Sequence, residues 1–344
     1  KKLPANFSWR IPVNDSLNPL TPLVKVHSPT EERNPRSYDI DTLSSEQVVE
    51  RILAEDATVV QAVQALTPEI ARLADLCVEA LSNGGRVHYV GAGTSGRLGV
   101  LDAVELLPTY NAGSDMFVAH LAGGDGAMMK AVEGAEDSEE LGAQVVEDNA
   151  GEHDVIVGLA ASGRTPYVKG ALEAGRARSL ATALVSANPH APLASLADVP
   201  LLVNTGPEVV TGSTRMKAAT AQKVLLNALS TSVMVRLGKT FENLMIDVRA
   251  TNEKLVARTV RIVREATGVS EEEARAALEA TGHNLRAALV LVLAGAPHER
   301  AEEALEVLAQ FPPSAHRPGD ASGIRSASAA LRERVTDPTA AKER

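Results

Sequence analysis

The sequence predicts an α/β fold: a doubly wound, five-stranded parallel sheet followed by a C-terminal three-helix module. Three observations predict it. Short apolar runs alternate with helix-period segments between about residues 87 and 203. Two of those runs lead into small-residue loops that each open a helix, Gly91-Ala92-Gly93-Thr94-Ser95-Gly96-Arg97 and Ala160-Ala161-Ser162-Gly163-Arg164-Thr165. From about Thr251 onward the pattern turns wholly helical.

In chain order, residues 1–29 carry Pro4, Pro12, Pro19, Pro22 and Pro29 without periodicity and read as an N-terminal extension. Leu43-Ser44-Ser45-Glu46 leads into a helix whose apolar positions Val48, Val49, Ile52 and Leu53 recur at helical spacing. A second helix is predicted over about 68–81, stopping at Asn83-Gly84-Gly85. Residues 87–90 form the first strand, and the helix opened by the first loop should end before Pro108. The second strand, 116–119, is followed by a Gly123-Gly124 turn and a helix through Met128 and Val132. The third strand, 155–159, leads into the second loop and its helix, and 180–186 and 201–203 complete the set of five. Ligands of such sheets bind at the C-terminal strand ends, where both loops fall.

A long helix from near Ser213 towards Gly238 is apolar on more than one face and is expected to be buried or at a subunit interface. Ser270-Glu271-Glu272-Glu273 fits a capping box. Further helices over 285–293 and 301–308 make residues 256–310 a small helical module. Residues 311–344, rich in Pro, Ser, Ala and charge, are expected to be a disordered tail.

Composition narrows the function. The formal charge of −10 argues against nucleic acid or an anionic membrane as partner, and aromatic residues at 3% leave little for base stacking. A phosphate site must therefore be local. The single cysteine, Cys77, lies in an apolar helical run, which excludes an intramolecular disulfide and reads as a buried structural thiol. No apolar stretch is long enough to span a bilayer, and Lys1-Lys2-Leu3-Pro4 lacks the apolar core of a secretory signal, so the expected location is the cytoplasm.

Each of the two loops offers hydroxyls, free backbone amides and one arginine at a helix N-terminus, the chemistry an anionic ligand needs. Gly91, Gly93 and Gly96 also begin a dinucleotide fingerprint, but the duplicated Ser-Gly-Arg loop is not explained by a nucleotide fold, and plain strand-to-helix turns are the bland alternative. Among acidic residues, Glu105 stands between Val104, Leu106 and Leu107; a carboxylate in apolar surroundings tends to hold its proton and can act as a general acid. Glu133-Gly134-Ala135-Glu136-Asp137 follows the second strand, where a solvated face is the ordinary reading. A third loop, Thr205 to Lys217, brings Glu208, Ser213, Arg215 and Lys217 over another helix start and suits an anion or simply a capped helix.

These strings resemble the sugar isomerase (SIS) family of phosphosugar-binding domains, and the longer ones are closest to its etherase branch. The resemblance rests on Thr30-Glu31-Glu32-Arg33-Asn34-Pro35, 91–102, 131–137, 160–167, 208–217 and 243–254, and spans about residues 30 to 310. It implies a phosphosugar domain over 30–255 with leading helices, and a C-terminal module over 256–310 similar to a ubiquitin-associated fold. The implied reaction removes the D-lactyl group ether-linked at C3 of N-acetylmuramic acid 6-phosphate, by elimination and hydration, in the recycling of cell-wall amino sugars.

By the same resemblance Glu105 is the general acid and Glu136 the second acid–base residue. Thr94, Ser95, Gly96, Ser162, Gly163 and Thr165 hold the phosphate, with Arg97, Arg164, Glu208, Ser213, Arg215 and Lys217 as further binding candidates. The chemistry asks for no metal and no cofactor, and a homodimer is expected, because SIS domains build sites at dimer interfaces. Val104, Leu106, Leu107 and Ala219 depart from the family pattern and bear on substrate fit. Three other readings stand beside the etherase. One is a non-catalytic phosphosugar sensor similar to the glucokinase regulatory protein, one an aldose–ketose isomerase, and the most distant a nicotinamide enzyme.

If the helix after the first loop is unbroken, Glu105 lies ten residues beyond Ser95, roughly 15 Å along the axis. Either that helix bends before Pro108 or Glu105 serves a site shared with a second subunit.

Overall fold

A computed structural model describes residues 28–130, 132, 134–247 and 253–336. The N-terminal extension up to residue 27, Ala131 and Glu133 of the acidic string, part of the 243–254 string, and the last eight residues lie outside the described residues.

Two short helices, α1 (Ser45–Asp56) and α2 (Val59–Gln64), precede α3 (Thr67–Ser82). Ser44 and Gln47 form a reciprocal capping box at the start of α1, which satisfies two amides the helix cannot. The alternating region follows as β1 (Val87–Gly91), α4 (Gly93–Tyr110), β2 (Phe117–Leu121), α5 (Glu139–Asn149), β3 (Val155–Leu159), α6 (Pro166–Ala177), β4 (Ala181–Ser186) and β5 (Val199–Leu202). The five strands form one sheet in the order β2-β1-β3-β4-β5, every neighbouring pair parallel, as the sequence predicts. β1 and β3 are buried along their whole length, as strands covered on both faces must be.

α7 (Lys217–Arg236) packs with α3 and α4 on one face of the sheet, where Leu73, Tyr89, Leu106, Leu225, Leu226 and Leu229 make the main core. α5 and α6 cover the other face around Ile156, Val168, Leu172 and Leu184. Cys77 is buried in the first of these cores, and burial pushes its thiol up to about 12, which keeps it protonated and inert. Asp102, on the inner side of α4, is buried and accepts hydrogen bonds from Tyr89 Oη (3.1 Å) and Ser230 Oγ (3.3 Å). Burial raises its pKa, and the two hydroxyls satisfy its oxygens while fixing the roll of α4.

After the hairpin β6 (Thr240–Phe241) and β7 (Leu244–Met245), the chain is helical: α8 (Glu253–Thr267), α9 (Glu271–Ala280), α10 (Leu285–Ala294), α11 (Ala301–Gln310) and α12 (Ile324–Thr336). Ser270 caps α9 by accepting the Glu273 amide (3.1 Å). These helices share one core with Phe241 and Ile246. Arg286 on α10 ties the module to the end of α7 by donating to Gly238 O (2.6 Å), Asp247 (2.7 Å) and Ser322 O (3.0 Å).

Four expectations are corrected. Residues 311–336 are not a disordered tail: α12 buries Ile324, Ala327 and Leu331 in the C-terminal core, so the module holds more than three helices. α4 does not stop before Pro108 but carries it inside the helix. That costs only the Val104 carbonyl its partner, on an exposed face where water can replace it. Residues after Gly124 form a 3-10 turn at Asp125–Met128, not a helix through Val132. The long helix begins at Lys217, not near Ser213, because residues 205–216 remain a loop bound to the N-terminal segment.

Candidate functional site

The sheet order places the site. β1 comes first in the chain and lies between β2 and β3, so the direction of winding reverses at the β1–β3 boundary. The two loops that leave the C-terminal ends of β1 and β3 therefore lie side by side at the crevice where parallel sheets bind ligands.

In the first loop, Gly96 N is the first amide of α4 with a backbone acceptor, Ala92 O at 3.0 Å. The amides of Gly93, Thr94 and Ser95 have no intrahelical partner, and the helix dipole adds positive potential where they point. Gly96 is needed for contact: a Cβ there would stand 2.5 Å from Gly91 O and 2.6 Å from Leu121 Cδ1. In the second loop the carbonyls are turned away from the crevice and held there. Ala161 O accepts from Ser186 Oγ and Ala187 N (both 3.0 Å), Ser162 O from Asn188 Nδ2 (3.1 Å), and Gly163 O from Leu193 N (3.1 Å). Gly163 makes that turn at φ +67°, where a side chain would also collide with Ala191. With its acceptors used, the loop presents hydroxyls and amides, and Thr165 starts α6 without spending its side chain on a cap.

The loops form one side of a cleft of about 480 Å³. Thr94, Ser95, Ser162, Arg164 and Thr165 line it, with Glu136 and Asp137 from the segment after β2. The remaining wall is Glu31, Gly212 and Thr214. This wall is assembled from two distant stretches of chain: Thr30 O accepts Gly212 N (2.9 Å), Asn34 Nδ2 donates to Pro207 O (3.2 Å), and Ser37 Oγ donates to Val209 O (2.8 Å).

The structure thus brings together Thr94, Ser95, Glu136, Ser162, Arg164 and Thr165. Seven other binding candidates fall elsewhere. Gly96 and Gly163 lie beneath the loops and shape them without lining the cleft. Arg97 turns away and donates to Ala127 O (2.7 and 3.0 Å) and Met128 O (3.1 Å), so it braces the segment that leads to Glu136. Glu208 is wholly buried and caps α7, accepting the amides of Lys217 (2.9 Å) and Ala218 (3.0 Å). Burial raises its pKa against the pull of those amides. Lys217 is equally buried, with Nζ 2.7 Å from Glu55, which also pairs with Arg36. Neither residue can reach a ligand. Ser213 and Arg215 flank the lining residues Gly212 and Thr214 without lining the cleft themselves.

Glu105 is not in apolar surroundings. It is exposed on the outer side of α4, with Leu101, Val104 and Leu107 exposed by 42%, 62% and 56% beside it, while Ala103 and Leu106 turn inward. Since α4 runs unbroken from Gly93 to Tyr110, Glu105 stands roughly 15 Å along the helix from Ser95 and does not line the cleft. Glu31, Asp137 and Thr214 are lining residues that the sequence reading did not single out. All three stood inside strings already quoted, but nothing local marks Glu31 or Thr214, which are brought together by contacts between stretches more than 170 positions apart.

Comparison with known proteins adds the following. Residues 69–176 match the family model of the glucokinase regulatory protein N-terminal SIS domain, and residues 242–289 that of the C-terminal lid domain of glucokinase regulatory protein. The chain is 48% identical over 277 residues to the N-acetylmuramic acid 6-phosphate etherase of Salmonella agona (strain SL483), covering 80% of this chain and 93% of that protein. It is 48% identical over 267 residues to the enzyme of the same name from Enterobacter sp. (strain 638), covering 77% and 90%. Among solved structures, a phosphoheptose isomerase from Francisella tularensis aligns with a TM-score of 0.43 at 20% identity, covering 55% of this chain and all (100%) of that one.

Proposed function

The chain belongs to the family of N-acetylmuramic acid 6-phosphate etherases, and we propose that its cleft is the active site, with Thr94, Ser95, Ser162 and Thr165 around the phosphate and Glu136 and Glu105 moving the protons. The observation that carries this reading is the convergence of two donor-rich loops and the Glu136 carboxylate on one cleft. The reaction gives N-acetylglucosamine 6-phosphate and D-lactate. The sugar ring opens to the aldehyde, which acidifies the C2 proton. A carboxylate removes that proton, the C3–O bond breaks as the departing lactate oxygen takes a proton from a carboxylic acid, and a C2–C3 double bond forms. Water then adds, its oxygen at C3 and a proton at C2. Two carboxylates in opposite protonation states suffice for these transfers.

Glu105 enters this scheme from a second subunit. Its distance from Ser95 on a straight helix, and the exposed Leu101, Val104 and Leu107 around it, support a two-fold dimer in which α4 of one copy faces the cleft of the other. No helix among the described residues is long and apolar enough to cross a membrane, and the phosphorylated substrate fits a cytoplasmic place of action.

The test is D-lactate release from N-acetylmuramic acid 6-phosphate by the purified protein. Release supports the reading; a folded protein that binds the sugar phosphate and releases none is a sensor instead. Ser162→Ala should raise KM about fivefold, the value of roughly one hydrogen bond, with kcat little changed and weaker competition by inorganic phosphate. Steady-state kinetics with phosphate as inhibitor would measure both.

A further inference from the structure

We propose that Glu31 is a specificity-determining residue, whose carboxylate accepts hydrogen bonds from sugar hydroxyls on the side of the ligand away from the phosphate. This rests on the reading that the cleft holds an amino-sugar phosphate. Glu31 lines the cleft from the wall opposite the two loops, yet it belongs to a segment before α1, outside the sheet and its helices. Its backbone is fixed in a short 3-10 turn: Glu31 N donates to Ser28 O (3.0 Å), and the neighbouring Thr30 is buried, its hydroxyl 2.8 Å from Ser28 Oγ. The carboxylate lies across Gly212, with Oε2 only 3.1 Å from where a Cβ at that position would stand. The absence of a side chain at Gly212 is what leaves the carboxylate its place.

Nothing among the described residues uses that carboxylate. Among the described residues Glu31 has no ion pair and no side-chain hydrogen bond, in contrast to Glu55 and Glu208, which are both committed to structure. An ionised carboxylate only accepts, and it repels anions. In a cleft whose other wall is built of donors for a phosphate, an acceptor-only group cannot serve the phosphate, and it would repel the lactyl carboxylate as well. The ligand surface left for it is a set of donors, the sugar hydroxyls foremost, with the acetamido N–H besides. Glu31 thereby also orients the sugar, since both anionic ends are driven towards the loops and Arg164.

The test compares Glu31→Gln and Glu31→Ala with the full-length wild type for binding of N-acetylglucosamine 6-phosphate and of inorganic phosphate by titration calorimetry, together with kcat and KM for lactate release. Sugar-phosphate affinity should fall about tenfold or more in Glu31→Ala and less in Glu31→Gln, with phosphate affinity unchanged and KM rising more than kcat falls. Unchanged sugar-phosphate affinity in both variants would overturn the inference. So would a parallel loss for inorganic phosphate, which would make Glu31 a prop for the 205–217 loop. Binding of the sugar phosphate by wild type without lactate release would remove the etherase reading alone, and the ratio of the two affinities would still decide the role of Glu31.

Discussion

Glutamine in place of Glu105 is expected to lower D-lactate release by roughly two to four orders of magnitude, the usual value of a positioned general acid, with product binding close to wild type. Glu136→Gln should fall by a similar factor, because proton removal at C2 and protonation of the leaving oxygen serve one reaction. The informative experiment combines them. Each variant alone is inactive, but in a dimer formed from one Glu105→Gln and one Glu136→Gln subunit, a site that draws Glu136 from one copy and Glu105 from the other is intact at one of its two positions. Co-expression with random assortment should then restore about a quarter of wild-type activity. If both carboxylates act within one chain, every subunit lacks one and mixing restores nothing. The exposure of Glu105 and of the Leu101, Val104 and Leu107 side chains near it on α4 leads us to expect the quarter.

The second large effect concerns stability. Lys217 Nζ, Glu55 and Arg36 form an ion triad in which Glu55 and Lys217 are almost completely buried. It joins α1, α7 and the segment that carries Glu31. Glu55→Ala leaves the Lys217 ammonium without its carboxylate in the interior, which should cost about 3–5 kcal/mol and lower Tm by roughly 5–15 °C. The pH dependence follows from the carboxyl. The Arg36 guanidinium first, and then the Lys217 ammonium, hold Glu55 down at about 2 against an ordinary 4.5. A carboxyl held below its unfolded value contributes its stability above about 4.5 and loses it as pH falls towards about 2. Thermal melts at pH 7 and pH 3 should therefore converge more closely for Glu55→Gln than for wild type; equal slopes would show that the triad does not act on folding.

The sheet was legible because its signals are local. Five short apolar runs mark the strands, and the loops after β1 and β3 fall together once their strands are neighbours. Thr94, Ser95, Ser162 and Thr165 belong to those loops and line the cleft, whereas only the family resemblance singles out Glu136. Lys217 and Glu208 do not line it, because their fate is decided by Glu55, 162 positions from Lys217, and by the start of a helix four residues later than the hydroxyl pattern suggests. Apolar neighbours in sequence misplaced Glu105, since a helix turns Leu106 into the core and Val104 and Leu107 out of it. The helix at Ile324–Thr336 was hidden by its composition, although Ile324, Ala327 and Leu331 stand at helical spacing and mark the buried stripe.

The continuity of α4 gives chain length a chemical meaning. One rigid element holds the amides without an intrahelical partner at its first turn and the Glu105 carboxylate near its end. In a surface loop, an extra residue is absorbed by local rearrangement. Between Gly96 and Glu105 a single inserted or deleted residue would swing the carboxylate by about 100° around the axis and shift it by about 1.5 Å, while every side chain stayed the same. The spacing is thus a gauge written into the helix, and exposed positions along it such as Leu101 and Val104 can vary in kind while the number of residues cannot change.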